Sequence, residues 1–219
     1  MSTARPKTIL LGNAPKLWKP FTVICFQLVS YPKKRERKMP PRKIGREQAP
    51  IVVRARPGQA TRGLLAAAGT VFPCALGRGG ITAFKREGDG GTPLGAMKLL
   101  WGYRRPERGW PPPTRLAILP AAPWLGWCDA PGDRNYNRPV RLPYAASCET
   151  MQRADRLYDV VAVLDWNMRP AIRGRGSAIF LHIAKPGYLA TEGCIAVSPA
   201  TMRRLLPLLH RGSVLKVMR

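Results

Sequence analysis

The 219-residue sequence predicts a mainly β domain with one packed helix near its C-terminus. Three observations carry that prediction. The apolar runs are short, of strand length, and bounded by turn residues. Pro 23 and Gly 21 together make about a fifth of the chain, which favours turns over long helices. One segment near the C-terminus has clear start and stop signals for a helix.

Residues 51–56 alternate in polarity and run into Pro57 and Gly58, a strand ending in a turn. Residues 70–77 read as a second strand, with Pro73 marking an edge or a bulge. Residues 97–103 and 115–119 are further strands. Residues 159–165 and 178–184 are dense apolar runs, expected at the centre and buried on both faces. Residues 213–218 close the sheet. Ser198 can cap the helix, Pro199 suits its first position and Gly212 follows its end. Met202, Leu205, Leu206 and Leu209 share its buried face. Pro207 lacks a backbone donor and should kink or shorten it.

At 45% hydrophobic residues the chain can bury a core. No apolar stretch approaches the roughly 20 residues of a membrane-spanning helix. The net charge of +25 calls for an anionic partner, among which charge alone does not choose. The cations are unevenly divided. Residues 1–50 hold 7 Lys and 5 Arg, whereas residues 51–219 hold 4 Lys and 21 Arg. The chain accordingly divides into a basic segment at 1–49 and a domain at 50–219. Three readings of the first segment compete: an export signal or anchor, a nucleic-acid or membrane-binding arm, and a lead ahead of a true start at Met39.

The sequence has two histidines. His210 lies near a helix end and reads as a surface residue or a favourable charge there. His182 interrupts a buried apolar strand, where a hydrogen-bonded core residue is the plain alternative to a catalytic one. Twelve residues later comes Cys194. A strand, a reversal at residues 185–188 and a return bring the two together, and a thiol beside an imidazole can attack carbonyls. Gly193 lets the backbone turn, so that its N–H and that of Cys194 can face an oxyanion. Five scattered cysteines form no CxxC pair and there is no HExxH, so no metal site is expected. No phosphate-binding glycine loop occurs.

Ile179-Phe-Leu-His182, followed by Thr191-Glu-Gly-Cys194, resembles the catalytic segment of the L,D-transpeptidase (YkuD-like) family. Gly88-Asp-Gly-Gly-Thr-Pro-Leu-Gly95 resembles the Thr-Pro-x-Gly turn of the same enzymes. Residues 133–138 and 173–177 look characteristic of a compact branch. The resemblance spans roughly residues 50–219. It implies a β-sandwich or barrel-like domain with one packed C-terminal helix. Cys194 would be the nucleophile, His182 the general base and acid, and the Gly193 amide an oxyanion donor. Thr191 is a candidate substrate contact, and on charge alone so are Arg134, Arg138, Arg173 and Arg175, each against the plainer reading of a solvated surface residue. No cofactor or metal is implied. The partners would be donor and acceptor peptidoglycan stem peptides, and the place the cell envelope or periplasm. Residues 51–219 carry 25 cationic against 10 anionic side chains, which suits carboxylate-bearing stems. In an oxidising compartment, one structural disulfide, Cys74–Cys128, is an expectation against the simpler reading of small buried thiols.

The sequence departs from the family pattern in three places. Glu192 stands where a second histidine is usual, Ala196 where Arg or Asn is usual, and Ile183 where a small residue often follows the histidine. These leave transfer and hydrolysis open, so a peptidoglycan carboxypeptidase or endopeptidase using the same site is one rival. A basic nucleic-acid-binding module is another, although no specific nucleic-acid motif is present.

Overall fold

The computed structural model describes residues 49–109 and 113–219. The basic segment, except its last residue, lies outside them, as do its three readings. The strands are β1 (Ile51–Arg56), β2 (Gln59–Ala67), β3 (Thr70–Ala75), β4 (Ile81–Thr82), β5 (Thr92–Pro93), β6 (Gly95–Arg104) and β7 (Ile118–Pro120). They continue with β8 (Leu125–Cys128), β9 (Arg138–Arg141), β10 (Cys148–Thr150), β11 (Val160–Leu164), β12 (Phe180–Ile183), β13 (Ile195–Val197) and β14 (Val214–Met218). The helix, α1, spans Pro199–Leu205.

Most strands join one sheet in the order β11-β12-β13-β3-β2-β1-β14-β6, and β6 pairs back onto β11 to close a barrel. β7 continues alongside the second half of β6. Closure leaves two environments. Val160, Ala162 and Leu164 of β11, Leu181 and Ile183 of β12, and Ile195 and Val197 of β13 point into the main core with Met202 and Leu205 of α1. The alternate residues Val161, Val163, Phe180 and Cys194 point the other way and pack with Leu125 and Trp127 of a small sheet, β10-β8-β9, and with Met151 just beyond β10. The expected burial of β11 and β12 on both faces is therefore met, one face by the barrel and the other by this sheet.

The helix starts where the cap predicts, with the Thr201 N–H donating to Ser198 Oγ at 3.1 Å. It is short. Pro207 cannot donate to the carbonyl four residues back, and Leu206–Leu208 tighten into a 3-10 turn. Met202, Leu205, Leu206 and Leu209 are all fully buried. Among the described residues, seven strands go beyond those expected from the sequence. β2 is the longest of these; its Arg62-Gly63 pair interrupts the apolar alternation, and pairing to β1 and β3 on both sides forms the strand regardless. The anticipated Cys74–Cys128 disulfide is not present. Cys74 packs in the barrel core, whereas Cys128 belongs to the small sheet, and both are free thiols.

Candidate active site

β12 and β13 run parallel with Leu181 opposite Ile195 and His182 opposite Ala196. Continuing that register sets Cys194 beside Phe180. Cys194 and His182 are therefore diagonal neighbours on the outer face of adjacent strands. Sequence spacing brought them together as anticipated, and parallel pairing sets the offset. Ala196 is fully buried directly beside the histidine, so the small residue at this departure leaves room for the imidazole.

The site is roofed over. Cys194 is 7% exposed and His182 4%. Tyr158 stands edge-on to the imidazole, centroids 5.2 Å apart, and to Phe180 at 5.9 Å. Trp127 stands edge-on to Phe180 at 5.0 Å. The Cys194 thiol donates to the Ala178 carbonyl at 3.2 Å, and its sulfur accepts from the Phe180 N–H at 3.4 Å. The His182 Nδ1–H donates to the Ile183 carbonyl at 2.8 Å, which leaves Nε2 with the lone pair a base needs. No hydrogen bond joins the thiol to the ring, so the thiol would have to leave the Ala178 carbonyl before its proton could reach Nε2.

Burial also sets the protonation states. It pushes the Cys194 thiol up to about 12, with the charge of Glu149 adding to the effect. It pulls His182 down from 6.5 to about 4, against the opposing hydrogen bond to the Ile183 carbonyl. The resting pair is thus neutral thiol and neutral imidazole. Below pH 6.5 the unfolded chain binds a proton at His182 that the folded chain refuses, so stability falls as pH drops from 6.5 towards 4, by on the order of 3 kcal/mol in full. His182→Asn places an amide N–H near the position of Nδ1–H without the titrating ring. Denaturant melts between pH 7 and 4.5 should show a shallower acid slope for that variant than for wild type. Equal slopes would assign the loss to other groups.

Gly193 and Thr191 form the turn entering Cys194. The Gly193 N–H donates to Thr191 Oγ1 at 3.2 Å, and Thr191 Oγ1 donates to the Cys194 carbonyl at 2.7 Å. Gly193 has φ +131°, and a Cβ there would lie 2.9 Å from the Gly91 carbonyl oxygen, a backbone atom. Gly193→Ala should therefore lower stability by about 2–3 kcal/mol, read from a denaturant melt. An unchanged melt would mean that the residue 77–93 segment yields easily.

Several contributors were not signalled by the sequence. The Tyr158 hydroxyl donates to Glu149 at 2.6 Å, and Arg153 lies 3.6 Å from the same carboxylate and over the Tyr158 ring. Burial holds the Glu149 carboxyl above its ordinary value, partly offset by these two neighbours. Lys85, 3% exposed, is bound to Asp89 and to the Arg86 carbonyl, and its charge favours the Cys194 thiolate. Asn137 is the hub of the site's rear wall. Its Oδ1 accepts from Trp127 Nε1 and from the Ala178 N–H, both at 3.0 Å, and its Nδ2 donates to the Trp166 and Asn167 carbonyls, both at 2.9 Å. Ala178 is thereby fixed, and with it the carbonyl that holds the thiol. Residues 133–138 stood out in the sequence, but only folding shows that Asn137 is the member that reaches the site.

The four arginines singled out as substrate contacts are all exposed. Arg173 and Arg175 lie on the loop leading to Ala178, Arg134 lies in the loop before β9, and Arg138 opens β9 of the small sheet. None of the four guanidiniums makes a hydrogen bond or ion pair among the described residues, and none touches Cys194 or His182. Glu192 is exposed and pairs with Arg78 at 2.8 Å. His210 is half-buried, with Nδ1 against the Arg211 carbonyl at 3.0 Å. A cavity of about 420 Å³ lined by Arg108, Arg156, Asp159 and Arg203 excludes both Cys194 and His182.

The family model for the L,D-transpeptidase catalytic domain matches residues 67–217, the stretch that holds every residue of the site. The chain belongs to the L,D-transpeptidase catalytic domain family. Among solved structures it is similar to L,D-transpeptidase 1 of Mycobacterium tuberculosis, at 13% identity, covering 77% of this chain and 61% of that one with a TM-score of 0.32. It is likewise similar to an L,D-transpeptidase from Mycobacterium smegmatis, at 14% identity, 77% and 58% coverage and a TM-score of 0.35. This chain thus spans less than two thirds of either L,D-transpeptidase. No curated protein matches it.

Proposed function

We propose that this protein is a cysteine-dependent L,D-transpeptidase that acts on peptidoglycan stem peptides in the cell envelope, through a thioester on Cys194. The observation that carries the reading is the diagonal placement of Cys194 and His182 on one face of the parallel β12–β13 pair, within the matched catalytic domain. The Cys194 sulfur attacks the donor carbonyl as Nε2 of His182 takes the thiol proton, and His182 returns that proton to the leaving amine. The Gly193 amide turns from Thr191 Oγ1 to the oxyanion, an interaction worth roughly 3–4 kcal/mol in related chemistry. An acceptor amine then displaces the thiol and completes the cross-link. The exposed guanidiniums of Arg173 and Arg175, on the loop entering Ala178, suit the carboxylates of a stem. No step calls for a metal or an organic cofactor.

A raised thiol pKa is compatible with this scheme because the proton moves during attack. It also makes a prediction. Alkylation of Cys194 by iodoacetamide, followed by peptide mass, should accelerate about tenfold for each pH unit from 7 to 10, with no plateau near 9. A plateau below pH 8 would indicate a preformed thiolate–imidazolium pair.

The test of function uses the purified, reduced chain with disaccharide-tetrapeptide stems and product masses. Cross-linked dimers lacking one terminal D-alanine support transpeptidation. Tripeptide without dimers moves the assignment to hydrolysis, with water as the acceptor. Neither product, from a folded protein whose Cys194 stays unacylated, rejects the enzyme reading.

A further inference from the structure

Cys128 and Cys148 face each other directly in the antiparallel pair β8–β10. Hydrogen bonds in the same register run from the Asp129 N–H to the Ser147 carbonyl at 3.2 Å and from the Met151 N–H to the Leu125 carbonyl at 3.0 Å. Because bonded and non-bonded pairs alternate, these place Cys128 and Cys148 at a non-hydrogen-bonded pair. Cα atoms in such pairs approach to about 4.5 Å, and both side chains stand on one face. A disulfide needs Cα atoms roughly 4.4–6.8 Å apart, so the backbone is already within range. Both thiols are free in this structure.

We propose that Cys128 and Cys148 are a redox modification site, closed into a disulfide by exchange with a disulfide-bearing oxidant. The half-buried Cys148 reacts first. Its thiolate attacks one sulfur of the oxidant, forming a mixed disulfide and releasing one thiol. Cys128, fully buried, then attacks the Cys148 sulfur and releases the second thiol. The protein dithiol loses two hydrogens and the oxidant gains them as two thiols. Burial holds both cysteines above their ordinary values, so exchange should quicken as pH rises.

The site's position gives the closure a structural effect. Trp127 and Glu149 alternate with the two cysteines along the same strands and face the other way, towards Phe180 and Tyr158. The closed loop also contains Asn137. Cross-linking would thus tie together the sheet that roofs the site, while Cys194, on a barrel strand with its thiol on the Ala178 carbonyl, stays reduced. The proposal goes beyond the catalytic assignment and does not depend on it.

The experiment takes the full chain, reduced and desalted, and exposes it to oxidised glutathione at about pH 8. Remaining thiols are then alkylated and the peptides mapped by mass. The expected result is a Cys128–Cys148 cross-linked peptide in wild type and in Cys74→Ala, with Tm raised by on the order of 5–10 °C. Cys148→Ser should give neither the cross-link nor the rise. Glutathione left on Cys148 without closure, or a dominant pairing of either cysteine with any other, overturns the proposal. The wild-type map decides this even if the serine variant fails to fold.

Discussion

Cys194→Ala is expected to abolish acylation by stem peptides while the protein remains folded. The thiol makes two hydrogen bonds, to the Ala178 carbonyl and from the Phe180 amide, and lies among Phe180, Tyr158 and Trp127. Removing it should lower stability by only about 1–2 kcal/mol. If Cys194 carries the chemistry, turnover should fall by about 10⁴-fold or more, since nucleophile and base act as a unit. Cys194→Ser keeps a donor for the Ala178 carbonyl and should melt close to wild type, yet be almost as inactive. His182→Asn should keep the bond to the Ile183 carbonyl and lose about 10²–10⁴-fold in acylation rate. Product masses and a denaturant melt on the same preparations separate chemistry from folding. Turnover surviving in Cys194→Ala would remove this residue from the mechanism.

The second large effect is expected at Asn137, which lies on no barrel strand. Asn137→Leu deprives Trp127 Nε1 and the Ala178 amide of their acceptor and two carbonyls of their donor, inside a residue only 1% exposed. Asn137 also has φ +58°, a conformation that asparagine tolerates better than leucine. Together these should lower stability by about 4 kcal/mol. Asn137→Asp keeps the acceptor and loses the two donors, so it should fall between leucine and wild type. Both variants should slow Cys194 acylation beyond what their folded fraction explains, because Ala178 no longer has a fixed position. Chemical denaturation and single-turnover acylation on matched samples check the two halves. A loss below about 1 kcal/mol for leucine would mean that the Trp127 and Ala178 groups find water or other partners.

The positions of β1, β6, β11, β12 and β14 were legible because their apolar runs are of strand length, and that of β3 despite its Pro73. β2 and the three strands of the small sheet were not, because their residues are held by partners on both sides or by a single buried tryptophan rather than by a periodic pattern. The same division runs through the site. His182 could be singled out because an ionisable residue inside an apolar strand is visible in one dimension. Cys194 followed from its spacing and from the Gly193 before it. Glu149, Tyr158, Arg153, Lys85 and the Ala178 carbonyl act on those two only across the fold, and nothing local marks them.

The chain's own sequence therefore determined a mainly β domain, the capped helix near its C-terminus and the pair of residues proposed to carry its chemistry, since propensity, periodicity and residue type are local properties. Tertiary structure alone decided the rest. Barrel closure set which face of β12 and β13 carries the pair, the small sheet set how deeply it is buried, and that burial makes thiol and imidazole neutral at rest. Those are properties of the surroundings a residue acquires from distant segments, and no window along the chain contains them.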